Sequence, residues 1–413
     1  MYLNHNIEND LIINVEENFQ RQQLIQQLKQ RFMTFGYDEI YTPTFEAYDL
    51  YSKMNGTVNH HEMIKTIDNT GQVLVLRPDI TIPITQKIAL HNKTLQKDLR
   101  YFYILDVFRQ AAETNKHRES TQAGVEYFGN PSPEADGEII TLAIQILQDL
   151  NIPHFKIEIG HAGFFKQLVK EMNLKQQELN LLKSSIQAKN VPEMEQLLKA
   201  LSIDPTLQKI VASLPFLYGK PIEVLKKANE LPLSETLRAT LKNITAIFNV
   251  LDAYDVGENI VIDFSLINHM DYYSDIIFQG FIDKIGKPVL MGGRYDRLAD
   301  QFSANIPAIG FAFDIDLLMT GIPTDNFLIK RKIDVLVYYE KKLEKESLAI
   351  ANNLRKSNYT VVTYPVDVNQ TRVPKALSVL QIKEDKWVLE MNKKQMFCSS
   401  IEEIIALLEN RES

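Results

Sequence analysis

Two apolar, β-prone runs, 99–108 and 124–128, are separated only by a short stretch around residues 109 to 122. A parallel pairing of neighbouring strands needs a long crossover, usually a helix, and this stretch has no room for one. The two runs are therefore expected to pair antiparallel, as a hairpin. Further β-prone runs fall at 73–76, 155–159, 260–264, 274–282 and 309–313, and helical segments interrupt them irregularly. That order predicts an antiparallel-rich α+β domain rather than a doubly wound parallel sheet.

With 413 residues the chain predicts two or three domains. Phe19, Leu24, Ile25, Leu28, Phe32 and Phe35 follow helical spacing over 17–35, and Gly36 supplies a C-terminal cap. Between about 162 and 255 the pattern changes to short helices, expected at 164–172, 176–186 and 222–228 and punctuated by Pro192, Pro205 and Pro232. This reads as an all-helical insertion in a core spanning 1–320, whose strands resume at Ile260. A small C-terminal α/β domain is expected over 330–413: strand 333–339, helix about 343–356, strand 359–364, a second helix, strand 387–391 and a last helix.

Hydrophobic residues at 45% and charged residues at 24% exclude a disordered chain. The net charge of −8 argues against an extended nucleic-acid surface. A single cysteine, Cys398, excludes an intramolecular disulfide and a cysteine-rich metal site, and reads as a small half-buried residue. Residues 1–10 lack the pattern of a signal peptide, and no apolar run approaches the roughly 18 residues of a membrane span. A cytoplasmic protein without membrane contact is expected.

Several groups carry possible chemistry. Leu76-Arg77-Pro78-Asp79-Ile80-Thr81 ends a strand in a proline-fixed turn that presents a carboxylate and a hydroxyl; alone, an ordinary strand exit explains it. Arg109 follows Val107-Phe108 and needs an acidic side chain or an anionic ligand if buried. Gln122 and Glu126 are four residues apart, so a strand points both to one face. Without context such a pair is a solvated face; with it, Glu126 accepts from an imidazole N–H while a tyrosine hydroxyl serves the other nitrogen. Asn268 to Tyr273 includes Asp271-Tyr272-Tyr273, and Gly292-Gly293-Arg294-Tyr295-Asp296 reads as a close-approach backbone turn. The glycines fit neither the Rossmann nor the P-loop spacing, so no cofactor is expected. His60, His61, Glu62 and His117 form no metal-ligand pattern.

In this order, Leu-Arg-Pro-Asp-x-Thr, the Phe-Arg hairpin with Gln-x-Gly-x-Glu, Asp-Tyr-Tyr, Gly-Gly-Arg-Tyr-Asp and Pro307-Ala308-Ile309-Gly310-Phe311-Ala312 resemble the class II histidyl-tRNA synthetase core over about residues 1–320. The resemblance implies that Asp79, Thr81 and Gln122 hold an amino-acid ammonium and that Glu126 and Tyr273, with Tyr272 beside them, bracket an imidazole. It makes Arg109 the arginine that engages the adenylate phosphate; Arg109 and Arg118 are candidate anion-binding positions.

The chain also departs from that family. Asn268 stands where the Arg-Gly-Leu-Asp-Tyr-Tyr motif has arginine, Leu317 stands where Gly-Leu-Glu-Arg-Leu places an arginine on ATP, Ala111 replaces an acidic residue, and the shorter hairpin loop carries Glu113. Losing preorganised cations removes charge stabilisation during activation, at roughly 10² to 10³ in rate for a single donor. These losses resemble the regulatory subunits of ATP phosphoribosyltransferase, synthetase paralogues. That implies a noncatalytic chain that partners the short catalytic subunit in the first step of L-histidine biosynthesis, a glycosyltransferase reaction of the complex. It further implies L-histidine as ligand and feedback effector, no tRNA, and a homodimer within a hetero-oligomer, for which the segment 36–43 with Tyr37, Ile40 and Tyr41 is suited. The alternatives are a divergent histidyl-tRNA synthetase that activates histidine with ATP, and a tRNA-mimic sensor.

Overall fold

The computed structural model describes the chain except residues 1–14, 53, 55–57, 92–96, 111–117, 202, 268–271, 324–332, 367–373 and 410–413. Ala111, Glu113, His117 and Asn268 therefore lie outside the described residues. The contacts divide the chain into two compact units, Gln20–Phe327, and Leu328–Ser413 with Met1–Phe19.

The larger unit is built on a nine-stranded sheet. In spatial order its strands are Asp38–Glu39, Leu99–Phe108, Glu119–Phe128, Ala308–Asp314, Leu290–Arg294, Ile276–Ile282, Phe155–His161, Ile260–Asp263 and Tyr218–Gly219. From Leu99–Phe108 to Phe155–His161 every neighbouring pair is antiparallel, and the hairpin pairs Leu99 with Phe128 through to Phe108 with Glu119. The fold class is therefore α+β with an antiparallel-rich sheet, as the short connection requires.

Side-chain parity assigns the two faces. Ala123, Val125 and Tyr127 join the core under the helices Val15–Thr34 and Pro133–Asp149, which contribute Leu24, Leu28, Phe32, Ile139, Leu142 and Ile146. The even positions Gln122 and Glu126 face a cavity on the other side. The first helix stops at Gly36, whose φ of +77° is the left-handed conformation of a helix C-terminus, with the Tyr37 amide donating to the Phe32 carbonyl.

Three expectations need correction. Gly292-Gly293-Arg294 is part of the strand Leu290–Arg294, not a turn. Both glycines are there because neighbouring strands close on them: a Cβ at 293 would lie 2.7 Å from the Ile276 carbonyl and 2.8 Å from the Tyr273 ring. The insertion is not wholly helical, since Tyr218–Gly219 adds a two-residue strand antiparallel to Ile260–Asp263. Its helices, from Ala162–Met172 to Glu235–Ala253, enclose their own core, yet the last helix gives Leu237, Leu241 and Ile244 to that core and Ile247 and Leu251 to the main one.

The third correction lies in the smaller unit. Its five-stranded sheet runs Val361–Pro365, Ile333–Tyr339, Ala376–Ile382, Trp387–Met391 and Lys394–Cys398. Where a second helix is expected, Ala376–Ile382 is a strand parallel to Ile333–Tyr339. Its apolar residues fit either period, and only the burial of Ser378, Leu380 and Ile382 on one face decides for period two. Cys398 is buried in this unit's core with Leu380, Leu389 and Ile404.

Candidate functional site

A cavity of about 220 Å³ opens on the face of the sheet away from the two long helices. Each wall arrives by a different local rule. Asp79 follows the strand Val73–Leu76 and precedes the helix Thr81–His91, where its Oδ1 accepts the Ile82 amide at 2.8 Å as an N-terminal side-chain acceptor does. Thr81, in the first turn of that helix, donates its hydroxyl to Glu126 Oε1 at 2.6 Å. Arg109, just past its strand, donates Nε to the Pro78 carbonyl at 2.9 Å, which holds the guanidinium against the Asp79 turn. Tyr272 and Tyr273 form the remaining wall with ring centroids 4.7 Å apart.

Glu126 is the centre of the site. It is 2% exposed, and its second oxygen accepts from the Tyr295 hydroxyl. Burial pushes its carboxyl up to about 8; the Thr81 and Tyr295 hydrogen bonds pull the other way, and neighbouring Asp79 adds to the rise. Burial also raises Asp79, opposed by the Ile82 amide and by the Arg109 charge.

Asp79, Thr81, Gln122, Glu126, Tyr272, Tyr273 and Arg109 all line this one cavity. Arg118 does not; it is exposed, and its carbonyl accepts the Arg109 amide. Tyr103, Tyr295 and Asp314 also line the cavity and are absent from the sequence-based set. Tyr103 had a signal: hairpin register places it opposite Gly124, where a Cβ would stand 2.5 Å from its hydroxyl. Tyr295 lies in the Gly-Gly-Arg-Tyr-Asp motif, but nothing local ties its hydroxyl to Glu126, because that approach depends on strands more than 100 residues apart. Asp314 caps the helix Ile315–Gly321 by accepting the Leu317 amide at 3.0 Å, and Leu317 packs on the main core.

Gly310, paired with Glu126 across the sheet, leaves the space in which that carboxyl sits. A Cβ there would overlap Glu126 Oε2 and the Val125 carbonyl. Gly310→Ala is expected to destabilise the protein by about 1–3 kcal/mol, read from denaturant unfolding, because the Val125 carbonyl belongs to the paired backbone and cannot yield without shifting the strand.

A nine-stranded antiparallel-rich sheet with a buried acid, a guanidinium and paired tyrosines on one face defines a histidyl-tRNA synthetase-like protein. The family model described as Histidyl-tRNA synthetase matches residues 13–318. The crystal structure of histidyl-tRNA synthetase from Nostoc sp. shares the fold, with a TM-score of 0.76 at 18% identity over 95% of each chain. Within that fold the chain belongs to the family of ATP phosphoribosyltransferase regulatory subunits. It is 42% identical to the ATP phosphoribosyltransferase regulatory subunit of Oceanobacillus iheyensis, over 94% of this chain and 95% of that one. A solved ATP phosphoribosyltransferase regulatory subunit/histidyl-tRNA synthetase from Bacillus halodurans superposes with a TM-score of 0.78 at 27% identity, covering 89% of this chain and 95% of that chain.

Proposed function

We propose that this chain is the noncatalytic regulatory subunit of ATP phosphoribosyltransferase, acting with the short catalytic subunit in the first step of L-histidine biosynthesis and mediating feedback inhibition by histidine. The observation that carries the reading is the 42% identity, over nearly the whole length of both chains, to a regulatory subunit of that enzyme. The cavity supports histidine as the effector. Asp79, Thr81 and Gln122 offer acceptors for an ammonium, Arg109 offers a guanidinium for a carboxylate, and Glu126 with Tyr272 and Tyr273 suits an imidazole. In this reading residues 1–320, with their insertion at about 162–255, form the sensing core, and 330–413 form a separate domain with no tRNA role.

The loss of activation chemistry rests on Leu317, an apolar side chain on the main core where a synthetase needs a cation, and on Asn268 in the sequence. A homodimer in the cytoplasm fits the surface near residues 36–43. Tyr37 is buried in the main core, but Tyr41 is 66% exposed, and Phe45, 55% exposed, lines a second cavity together with Leu50, Met54, Phe302 and the charged Glu46 and Lys87. Exposed aromatic side chains beside a hollow of mixed polarity suit a two-fold self-association.

The purified chain is expected to give no histidine-dependent ATP–pyrophosphate exchange and to co-purify with the short catalytic subunit, with mass measurement giving the stoichiometry. Robust exchange would turn the reading to a divergent histidyl-tRNA synthetase.

A further inference from the structure

The acidic and basic groups of the cavity do not balance. Among the described residues three carboxyls line it, from Asp79, Glu126 and Asp314, against one guanidinium, Arg109. Asp314 is held at a helix N-terminus by the Leu317 amide, and Arg109 acts on Asp79. Among the described residues Glu126 is left with no cation. From the described elements packed around it, the titratable neighbours are Asp79 and the tyrosines Tyr101, Tyr103, Tyr272, Tyr273 and Tyr295; of the two adjacent strands, one pairs Tyr101 with Glu126 and the other pairs Gly310, which presents only backbone. Its two oxygens accept from Thr81 and Tyr295, two neutral hydroxyls.

An amino-acid zwitterion brings one charge of each sign, so it leaves this imbalance where it was. A neutral ring laid against an ionised, 2% exposed Glu126 would keep an uncompensated carboxylate in a dry site, which is strongly unfavourable. We propose that the cavity takes its amino acid together with one proton, held between the Glu126 carboxyl and a basic ring nitrogen of the ligand. This rests on the histidine reading above. Only a proton moves, from the carboxyl O–H toward the ring nitrogen, and no bond between heavier atoms changes: at neutral pH the proton is the one already on Glu126, and at alkaline pH it comes from solvent. The rise of the Glu126 carboxyl to about 8 in the empty site agrees with that exchange. The ligand class that fits is an α-amino acid whose side-chain ring protonates near neutrality, which separates histidine from aromatic amino acids with nonbasic rings.

Calorimetric titration of the full chain with L-histidine at pH 7.0 and 8.5, each in two buffers of different ionisation enthalpy, counts the protons directly. Uptake of most of one proton per histidine is expected at pH 8.5 and almost none at pH 7.0, with affinity roughly fourfold weaker at the higher pH. In Glu126→Gln the uptake should fall to the small part that the ligand ammonium contributes. Binding without uptake in the native chain, or equal uptake in Glu126→Gln, overturns the inference while leaving the histidine reading intact. Absence of histidine binding at both pH values overturns the histidine reading and this inference with it.

Discussion

Glu126→Ala is expected to weaken L-histidine binding by roughly 10- to 100-fold while leaving the unfolding temperature unchanged or higher. The loss follows from removing the acceptor that meets the ring, since a hydrogen bond to a charged or charge-sharing group contributes about 1.5–3 kcal/mol. The gain follows from the state of the empty cavity. There the Glu126 carboxyl is raised to about 8 from an ordinary value near 4.5, so between those values the folded chain binds more protons than the unfolded one. Stability contributed by that acid form is therefore present below about pH 4.5 and is lost as pH rises toward 8. Glu126→Ala removes this dependence but leaves the Thr81 and Tyr295 hydroxyls to find water. Melting curves at pH 6 and 9 together with histidine titrations check both halves. A variant that binds histidine as the native chain does would move the effector to another site, and one that melts much lower would make Glu126 a structural residue.

The sequence and the structure agree where a local rule is enough. Hairpin formation follows from a connection too short for a crossover, and strand parity then places Gln122 and Glu126 on one face with no knowledge of the rest of the fold. The helix end at Gly36 is equally local. Agreement fails where long-range packing chooses between two locally acceptable conformations. Gly292-Gly293 fits a turn as well as a strand until the Tyr273 ring and the Ile276 carbonyl are known to lie against it, and residues 376–382 fit a helix until their neighbour is known to be Ile333–Tyr339. The same limit hid Tyr295. Its hydroxyl reaches Glu126 only because the strand ending at Arg294 and the strand Ala308–Asp314 lie side by side next to Glu119–Phe128, a proximity encoded across the whole core.

Arg294→Met is expected to be the most destabilising of these substitutions, by about 3–5 kcal/mol. The guanidinium is 2% exposed and makes four contacts with three oxygens: Asp136 Oδ1 from Nε at 2.9 Å and from Nη2 at 2.6 Å, Asp296 Oδ1 at 3.1 Å and the Asn130 carbonyl at 3.1 Å. Asp136 is itself 1% exposed in the first turn of Pro133–Asp149, so this cluster ties that helix to the sheet at the residue before Tyr295. Burial already lifts Asp136 to about 6 despite the charge beside it. Without Arg294 the carboxyl should rise further, so the variant's deficit should be larger at pH 8 than at pH 5, where protonation relieves the orphaned group. A methionine fills much of the stem's volume, which makes the loss electrostatic rather than a cavity effect. Adding Asp136→Asn to Arg294→Met should then recover much of the stability, because a buried pair replaced as a unit costs far less than one broken in half. Denaturant unfolding of the two single variants and the double variant at both pH values separates these terms. A loss below about 1 kcal/mol that is equal at pH 5 and pH 8 would mean that the helix is held to the sheet by apolar packing alone.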